Sequence, residues 1–273
     1  MRKKTDQPDW NEMAKTFDAW VPYIQPLAER LIDRLDLKTG MKVLDVACGT
    51  GEPGLSISRI WKGDVDLTGI DASCAMVDVC KKKVEEEGLK GINHLVMRAE
   101  EIGFPDKYFD RVICRFGVML FDDPVKGLRD MMRVLRNGGL MAFSVWSSLD
   151  KIEAAAIPFE LLARQFPEDD QPTRPKMACL GDPGKLEKLL QDAGVRSYQI
   201  EPIILTYKFS DPEEFLQLVI KSGFSKEYYE RLSQEKIEAW HRAIISALHQ
   251  HQQDHKVYLT NEALMVIIEK DGI

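Results

Sequence analysis

Two carboxylates flank a glycine-rich stretch early in the chain. Asp45 lies in the apolar run Val43-Leu-Asp-Val-Ala47, and Asp71 ends Val65-Asp-Leu-Thr-Gly-Ile-Asp71, twenty residues after Gly51. Between them comes Cys48-Gly-Thr-Gly-Glu-Pro-Gly54. Glycine permits positive φ and has no Cβ, so a ligand can lie against bare backbone there. An acid about twenty residues past such a turn is spaced to accept from both hydroxyls of a ribose. The competing use of Asp71 is to cap a helix starting near Ala72-Ser73. A Gly-x-Gly-x-x-Gly is weak by itself, since ordinary tight turns contain it. Asp45 inside the strand sharpens it.

The elements that must position these groups follow from periodicity. Val43–Ala47 reads as a buried strand, and Leu55–Ile60 has helical spacing. Further strands are expected at 65–71, 92–97, 108–116, 140–146, 198–209 and 263–270. Helices are expected at 73–87, 123–135, 151–165 and up to Ala193, and as two stretches at 211–221 and 225–252. The helix over 123–135 should start on Pro124 and take its left-handed C-cap from Gly138 or Gly139. Apolar residues from Trp10 to Leu35 imply two helices separated near Pro22 and Pro26. Residues 1–9 read as polar and loose, and 166–179, rich in Pro and charge, as a loop. Strands alternating with helices make this an α/β, Rossmann-like, doubly wound, mostly parallel sheet.

Val-Leu-Asp-x-x-Cys-Gly-x-Gly at 43–51 resembles the first motif of class I S-adenosylmethionine-dependent methyltransferases. Arg98-Ala-Glu-Glu-Ile-Gly-Phe-Pro-Asp106 resembles that family's Asp-Ala-Glu-x-Leu-Pro-Phe-Pro-Asp segment. The resemblance is strong from 41 to 146 and looser outside. It is nearest to the branch that includes ubiquinone and menaquinone biosynthesis and natural-product methyltransferases. It implies a seven-stranded sheet of order 3-2-1-4-5-7-6 with strand 7 antiparallel, and S-adenosyl-L-methionine as cofactor. The implied cofactor-binding residues are Asp45, Ala47, Gly49, Thr50, Gly51, Asp71, Ala72, Met76, Ala99, Glu100 and Arg115. Asp45 would face the ammonium, directly or through water, Asp71 the ribose, and Ala99 the adenine edge. Phe17, Trp20, Tyr23, Phe116 and Met119 would line the acceptor cavity. The family commonly has Asp at the position of Arg98, and arginine cannot accept a hydrogen bond. The implied organisation is a roof of helices at 1–40, a core at 41–210 and 254–273, and a helical lid at 211–253.

A small-molecule acceptor fits two further features. Enzymes that methylate base or glutamine amino groups resemble Asn/Asp-Pro-Pro-Tyr/Phe after the fourth strand, whereas this chain reads Arg115-Phe-Gly-Val118. The net charge of -7 argues against a nucleic-acid partner, which calls for clustered Lys and Arg. The five cysteines form no Cys-x-x-Cys pair, and no apolar run nears the ~20 residues of a membrane helix. A cytoplasmic monomer or homodimer is expected. Of the five histidines, His241 is the candidate general base and His94, at a strand start, is structural. His251 and His255 have the spacing of a metal pair but no evident third ligand, so no metal is expected. The alternatives are a nicotinamide-dependent oxidoreductase, for which no Tyr-x-x-x-Lys is recognisable, and a non-catalytic binding module.

Overall fold

Apolar runs too short for helices assemble into one sheet, with strands β1 (Lys42–Val46), β2 (Asp66–Asp71), β3 (Ile92–Val96), β4 (Phe109–Arg115), β5 (Leu135–Trp146), β6 (Gln199–Phe209), β7 (Gln252–Gln253) and β8 (Lys256–Glu269). This architecture comes from a computed structural model that describes residues 9–167, 176–221 and 232–271. The order is β3-β2-β1-β4-β5-β8-β6, with β7 paired only to β8. Neighbours from β3 to β5 run parallel. β8 is antiparallel to both β5 and β6. The expected order and the reversed last long strand are both present.

The helices are α1 (Trp10–Met13), α2 (Val21–Arg34), α3 (Gly54–Trp61), α4 (Cys74–Glu87), α5 (Pro124–Val134), α6 (Glu153–Gln165), α7 (Lys185–Asp192), α8 (Pro212–Lys221) and α9 (Gln234–Leu248). α2 packs across β4, β5 and β6, while α9 rests on α6 and α8. The first break falls before the prolines, not at them. A 3-10 turn at Phe17–Ala19 divides α1 from α2, Pro22 occupies the first turn of α2, and Pro26 is carried inside it. Proline's missing N–H costs nothing in a first turn, and the buried stripe Ile24, Leu27, Ala28, Leu31 and Ile32 holds the helix past Pro26.

Two other boundaries differ from the periodicity. α5 ends at Val134 and Leu135 is already extended, so no glycine caps it. Lys270 does so from the far end of the chain: its ammonium donates to the carbonyls of Met132 and Leu135, each at 2.6 Å. A cation there also opposes the helix dipole. Gly138 keeps its left-handed φ of 66° but lies in β5, where its N–H donates to the Lys270 carbonyl at 2.7 Å. β8 begins at Lys256, seven residues before the expected 263. Val257, Leu259, Asn261, Ala263 and Met265 alternate inward, and the buried Asn261 masked that alternation. Parts of the expected loop at 166–179, of the helix from 225 and of the loose 1–9 lie outside the described residues.

Asn261 ties β8 to the start of α6. Its Oδ1 accepts from the Ala154 N–H at 2.9 Å at the start of α6, and its Nδ2 donates to the Leu259 carbonyl at 3.1 Å. Asn261→Ala strands the buried Ala154 donor, which costs about 1–3 kcal/mol. Urea unfolding should show that loss; a midpoint within error of the parent would mean that water replaces the amide.

Candidate active site

β1 runs into the glycine turn with Ala47 at φ 56°, Gly49 at φ 55° and Gly51 at φ 119°. Two carboxylates fix this turn by accepting backbone N–H groups. Asp45 Oδ2 accepts from Gly54 at 3.0 Å, at the first residue of α3. A Cβ on Gly54 would stand 2.9 Å from that same oxygen, so the contact requires glycine. Asp71 Oδ2 accepts from Gly49 at 2.9 Å, and its Oδ1 accepts from Ser73 at 2.8 Å. Asp71 therefore braces the turn and borders the cavity, while α4 is capped by Ser73, whose Oγ accepts the Met76 N–H at 3.2 Å. Each carboxylate oxygen has two lone pairs, so one on each remains for a ligand.

Asp45 is fully buried, and its Oδ1 has no hydrogen-bond partner. Burial pushes its carboxyl from the ordinary 3.8 up to about 8, against the opposing pull of the Gly54 N–H and Arg115. Thr50 ties the turn to the leading segment: its hydroxyl donates to Asp18 Oδ1 at 2.6 Å, and Lys83 donates to the same oxygen at 2.7 Å. Cys80 Sγ meets His94 Nε2 at 3.0 Å beneath the turn, and burial pushes the imidazole down to about 4. His94 is thus a neutral packing group.

Above the turn opens a cavity of about 320 Å³. One end is polar, with Gly49, Asp71, Ser73, Arg98, Glu100 and Asp122. There Arg98 pairs with Asp122 Oδ2 at 2.5 Å and Glu100 Oε1 at 3.3 Å, while that Glu100 oxygen also accepts the Asp122 N–H at 2.9 Å. Glu100 is buried and committed to these donors. The other end is apolar, with Phe116, Trp146, Phe159, Leu162, Tyr207 and Trp240. Phe116 and Trp146 stack with centroids 4.1 Å apart and planes 17° apart. Trp240 of α9 donates its indole N–H to the Pro158 carbonyl in α6 at 2.9 Å, which closes the wall between those helices.

Of the residues singled out from sequence, Phe17, Trp20, Ala47, Gly49, Asp71, Ala72, Met76, Ala99, Glu100, Arg115, Phe116 and Met119 border this cavity. Asp45, Thr50 and Gly51 lie behind the turn that borders it and act through its backbone. Tyr23 packs on Tyr207 and Phe209 at 5.2 and 4.9 Å between centroids, away from the lining set. His241 is also outside that set; its neighbour Trp240 faces in. Its Nε2 is buried without a partner, and burial pushes its imidazole down. His251 lies 3.7 Å from Glu153 in an acid–imidazole contact, and no group of metal-ligating side chains occurs among the described residues. Trp146 could have been found from sequence, since it ends a strand at the ligand-binding edge. Tyr207 and Trp240 carried no such signal.

The family model for the ubiE/COQ5 methyltransferase family matches residues 24–168, more than half of the 273. Aklanonic acid methyltransferase DauC of Streptomyces sp. (strain C5) is 32% identical over 143 residues, 52% of this chain and 65% of that protein, just under two thirds of its length. Ubiquinone/menaquinone biosynthesis C-methyltransferase UbiE of Shewanella sp. (strain ANA-3) is 30% identical over 208 residues, 75% of this chain and 74% of that one. The fold matches a SAM dependent methyltransferase from Aquifex aeolicus with a TM-score of 0.55 at 24% identity, covering 71% of this chain and 92% of that chain. A sheet of that order, a glycine turn gripped by two acids, and these matches together place the chain in the ubiE/COQ5 family of S-adenosylmethionine-dependent methyltransferases.

Proposed function

We propose that this chain binds S-adenosylmethionine at the polar end of the cavity and methylates a small, largely apolar acceptor held at the aromatic end. One observation carries the reading: Gly49 and Asp71 border the same continuous cavity as Phe116, Trp146 and Trp240. The residues fit the cofactor. A Cβ on Gly49 would come no closer than 4.0 Å to another group, at Phe17 Cε1, so bare backbone borders open space. Asp71 has free lone pairs on the cavity side for a ribose diol. The unpartnered Asp45 Oδ1 behind the turn is where charge or ordered water completes the methionine end. Arg98 cannot accept from the adenine amino group, and the carboxylates that border the cavity beside it are Asp122, paired with Arg98, and Glu100, whose hydrogen bonds all fall on Oε1.

When bound, S-adenosylmethionine supplies a methyl carbon already activated by its sulfonium. The protein's part is then to align acceptor and methyl for in-line displacement and to keep water out. Such alignment is worth roughly 7–11 kcal/mol in effective-molarity terms. The Phe116–Trp146 stack and Trp240 wall in a planar acceptor, and Lys176 keeps the segment over the cavity in place by donating to the Phe121 carbonyl at 3.1 Å. His241 does not reach the acceptor end, so no imidazole is assigned there.

S-adenosylhomocysteine should raise the melting temperature of the protein by mass action while NAD leaves it unchanged. Asp71→Ala should weaken S-adenosylhomocysteine at least tenfold by calorimetry with far-UV dichroism unchanged; parent-like affinity would remove the ribose role.

A second expectation concerns Asp45 in the ligand-free protein. Its carboxyl titrates near 3.8 when unfolded and near about 8 when folded. Between those values the native state holds a proton that the unfolded state has lost, so this group lowers stability as pH rises through that window. Asp45→Asn, always neutral, should therefore gain in melting temperature relative to the parent from pH 5 to pH 8. A difference that stays constant over that range would show that Asp45 is ionised in the fold.

A further inference from the structure

Arg115 closes β4 at the junction of the polar and aromatic ends of the cavity. Its side chain is buried, with 7% exposure, and Nη1 has no hydrogen-bond partner. A buried guanidinium stays charged and requires an anion. The acids that act on it through space are Glu52 and Asp45. Neither is a committed counter-charge. Glu52 is paired with Arg59 at 2.5 Å and accepts from the Ser56 hydroxyl at 2.7 Å. Asp45, pushed up to about 8, is mostly protonated at neutral pH. On the aromatic side the polar neighbour is Tyr207, a neutral phenol whose ionisation burial opposes.

We propose that Arg115 recognises an acidic oxygen on a planar aromatic acceptor and draws that acceptor in as its anion. This rests on the methyl-transfer reading above and names the acceptor class for it. Among the described residues, the aromatic side of the lining holds no histidine, aspartate or glutamate to take a proton. A fixed cation meets the same need by lowering the pKa of the bound acceptor, as a positive neighbour does for any acid. The anion's lone pair forms the new bond to the methyl carbon, the carbon–sulfur bond breaks, and its electron pair stays on sulfur. The negative acceptor and positive sulfonium thereby become a neutral methylated product and a neutral thioether, with no proton left to place. The Phe116–Trp146 stack supplies the flat apolar surface on which an aromatic ring lies.

The test uses 2-naphthoate and its neutral twin 2-naphthamide as probes, titrated calorimetrically into protein with and without S-adenosylhomocysteine. The parent should bind 2-naphthoate at least tenfold more tightly than 2-naphthamide. Arg115→Met should erase that preference and weaken 2-naphthoate at least tenfold more than it weakens S-adenosylhomocysteine. Arg115→Lys, which keeps the charge in the same strand position, should keep part of the preference and reports on the charge if the methionine variant unfolds. Equal affinity for the two probes in the parent overturns the proposal. So does a loss of S-adenosylhomocysteine affinity in Arg115→Met comparable to the loss for 2-naphthoate, which assigns the cation to the cofactor's carboxylate. If the parent fails to bind S-adenosylhomocysteine, the cofactor reading fails instead, and the naphthoate preference of the ligand-free protein still decides the role of Arg115.

Discussion

Two buried carboxylates hold the backbone of one turn, and the site is built outward from them. Asp45 and Asp71 project from adjacent parallel strands at the edge where β1 and β2 end. Each accepts a main-chain N–H from the glycine segment, Gly54 for one and Gly49 for the other. Carboxyl groups can be kept at such depth only when donors are aimed at them. Those donors come from residues lacking a Cβ or adopting positive φ, so the acids and the glycines specify each other. The turn is therefore rigid before any ligand arrives. Asp45 is nevertheless left with an unpartnered oxygen, and a well-satisfied fold would not carry that without use.

The same sheet edge explains why the cavity has two characters. The strands β1, β2 and β3 deliver polar groups and backbone, because their carboxyl ends meet the glycine turn and the Arg98–Glu100–Asp122 cluster. β4 and β5 deliver Arg115, Phe116 and Trp146. β8 runs antiparallel between β5 and β6 and carries β6 outward, so Tyr207 comes from beyond the parallel half. β6 and β8 are neighbouring antiparallel strands that a tight turn could join, and the connection instead runs through α8 and α9, which bring Val219 and Trp240 to the cavity. The proposed cofactor end thus sits on the parallel half of the sheet, and the proposed acceptor end draws on the helices inserted between β6 and β8.

What could be read beforehand was whatever depends on local chemistry. The parallel strands are continuous apolar runs, the glycine turn needs particular residues, and Asp71 stands at a fixed distance from it; each leaves a mark in the chain. Long-range contacts leave none. The cap on α5 comes from Lys270, whose ammonium reaches the Leu135 carbonyl across the sheet, and a glycine nearby looked sufficient. β8 was shortened because Asn261 broke an alternation that its hydrogen bond to Ala154 in fact requires. His241 and Trp240 differ by one position on α9, which on a helix is about 100° of rotation. Periodicity could place the helix over the site but could not set which of the two turned inward. Tyr23 was displaced for a similar reason: α2 presents it to Tyr207 and Phe209 on β6, so it builds the wall from behind.

The balance of charge within the cavity narrows the chemistry further than shape does. Acids gather at the nucleoside end, where Asp71 is held by two amides and Asp122 by Arg98. Toward the aromatic side the lining carries the Phe116–Trp146 stack and the Arg115 guanidinium. Apolar walls strengthen the field that the guanidinium exerts, since they screen it less than bulk water does. A neutral nucleophile gains little from such a field, and a cationic one such as a protonated amine is repelled by it. An oxyanion delocalised over a flat ring is favoured twice, by the charge and by the surface it lies on. On the proposed reading, the order of the lining residues separates acceptors by ionisation state, and the fixed charge takes over work that a proton-accepting side chain would otherwise do.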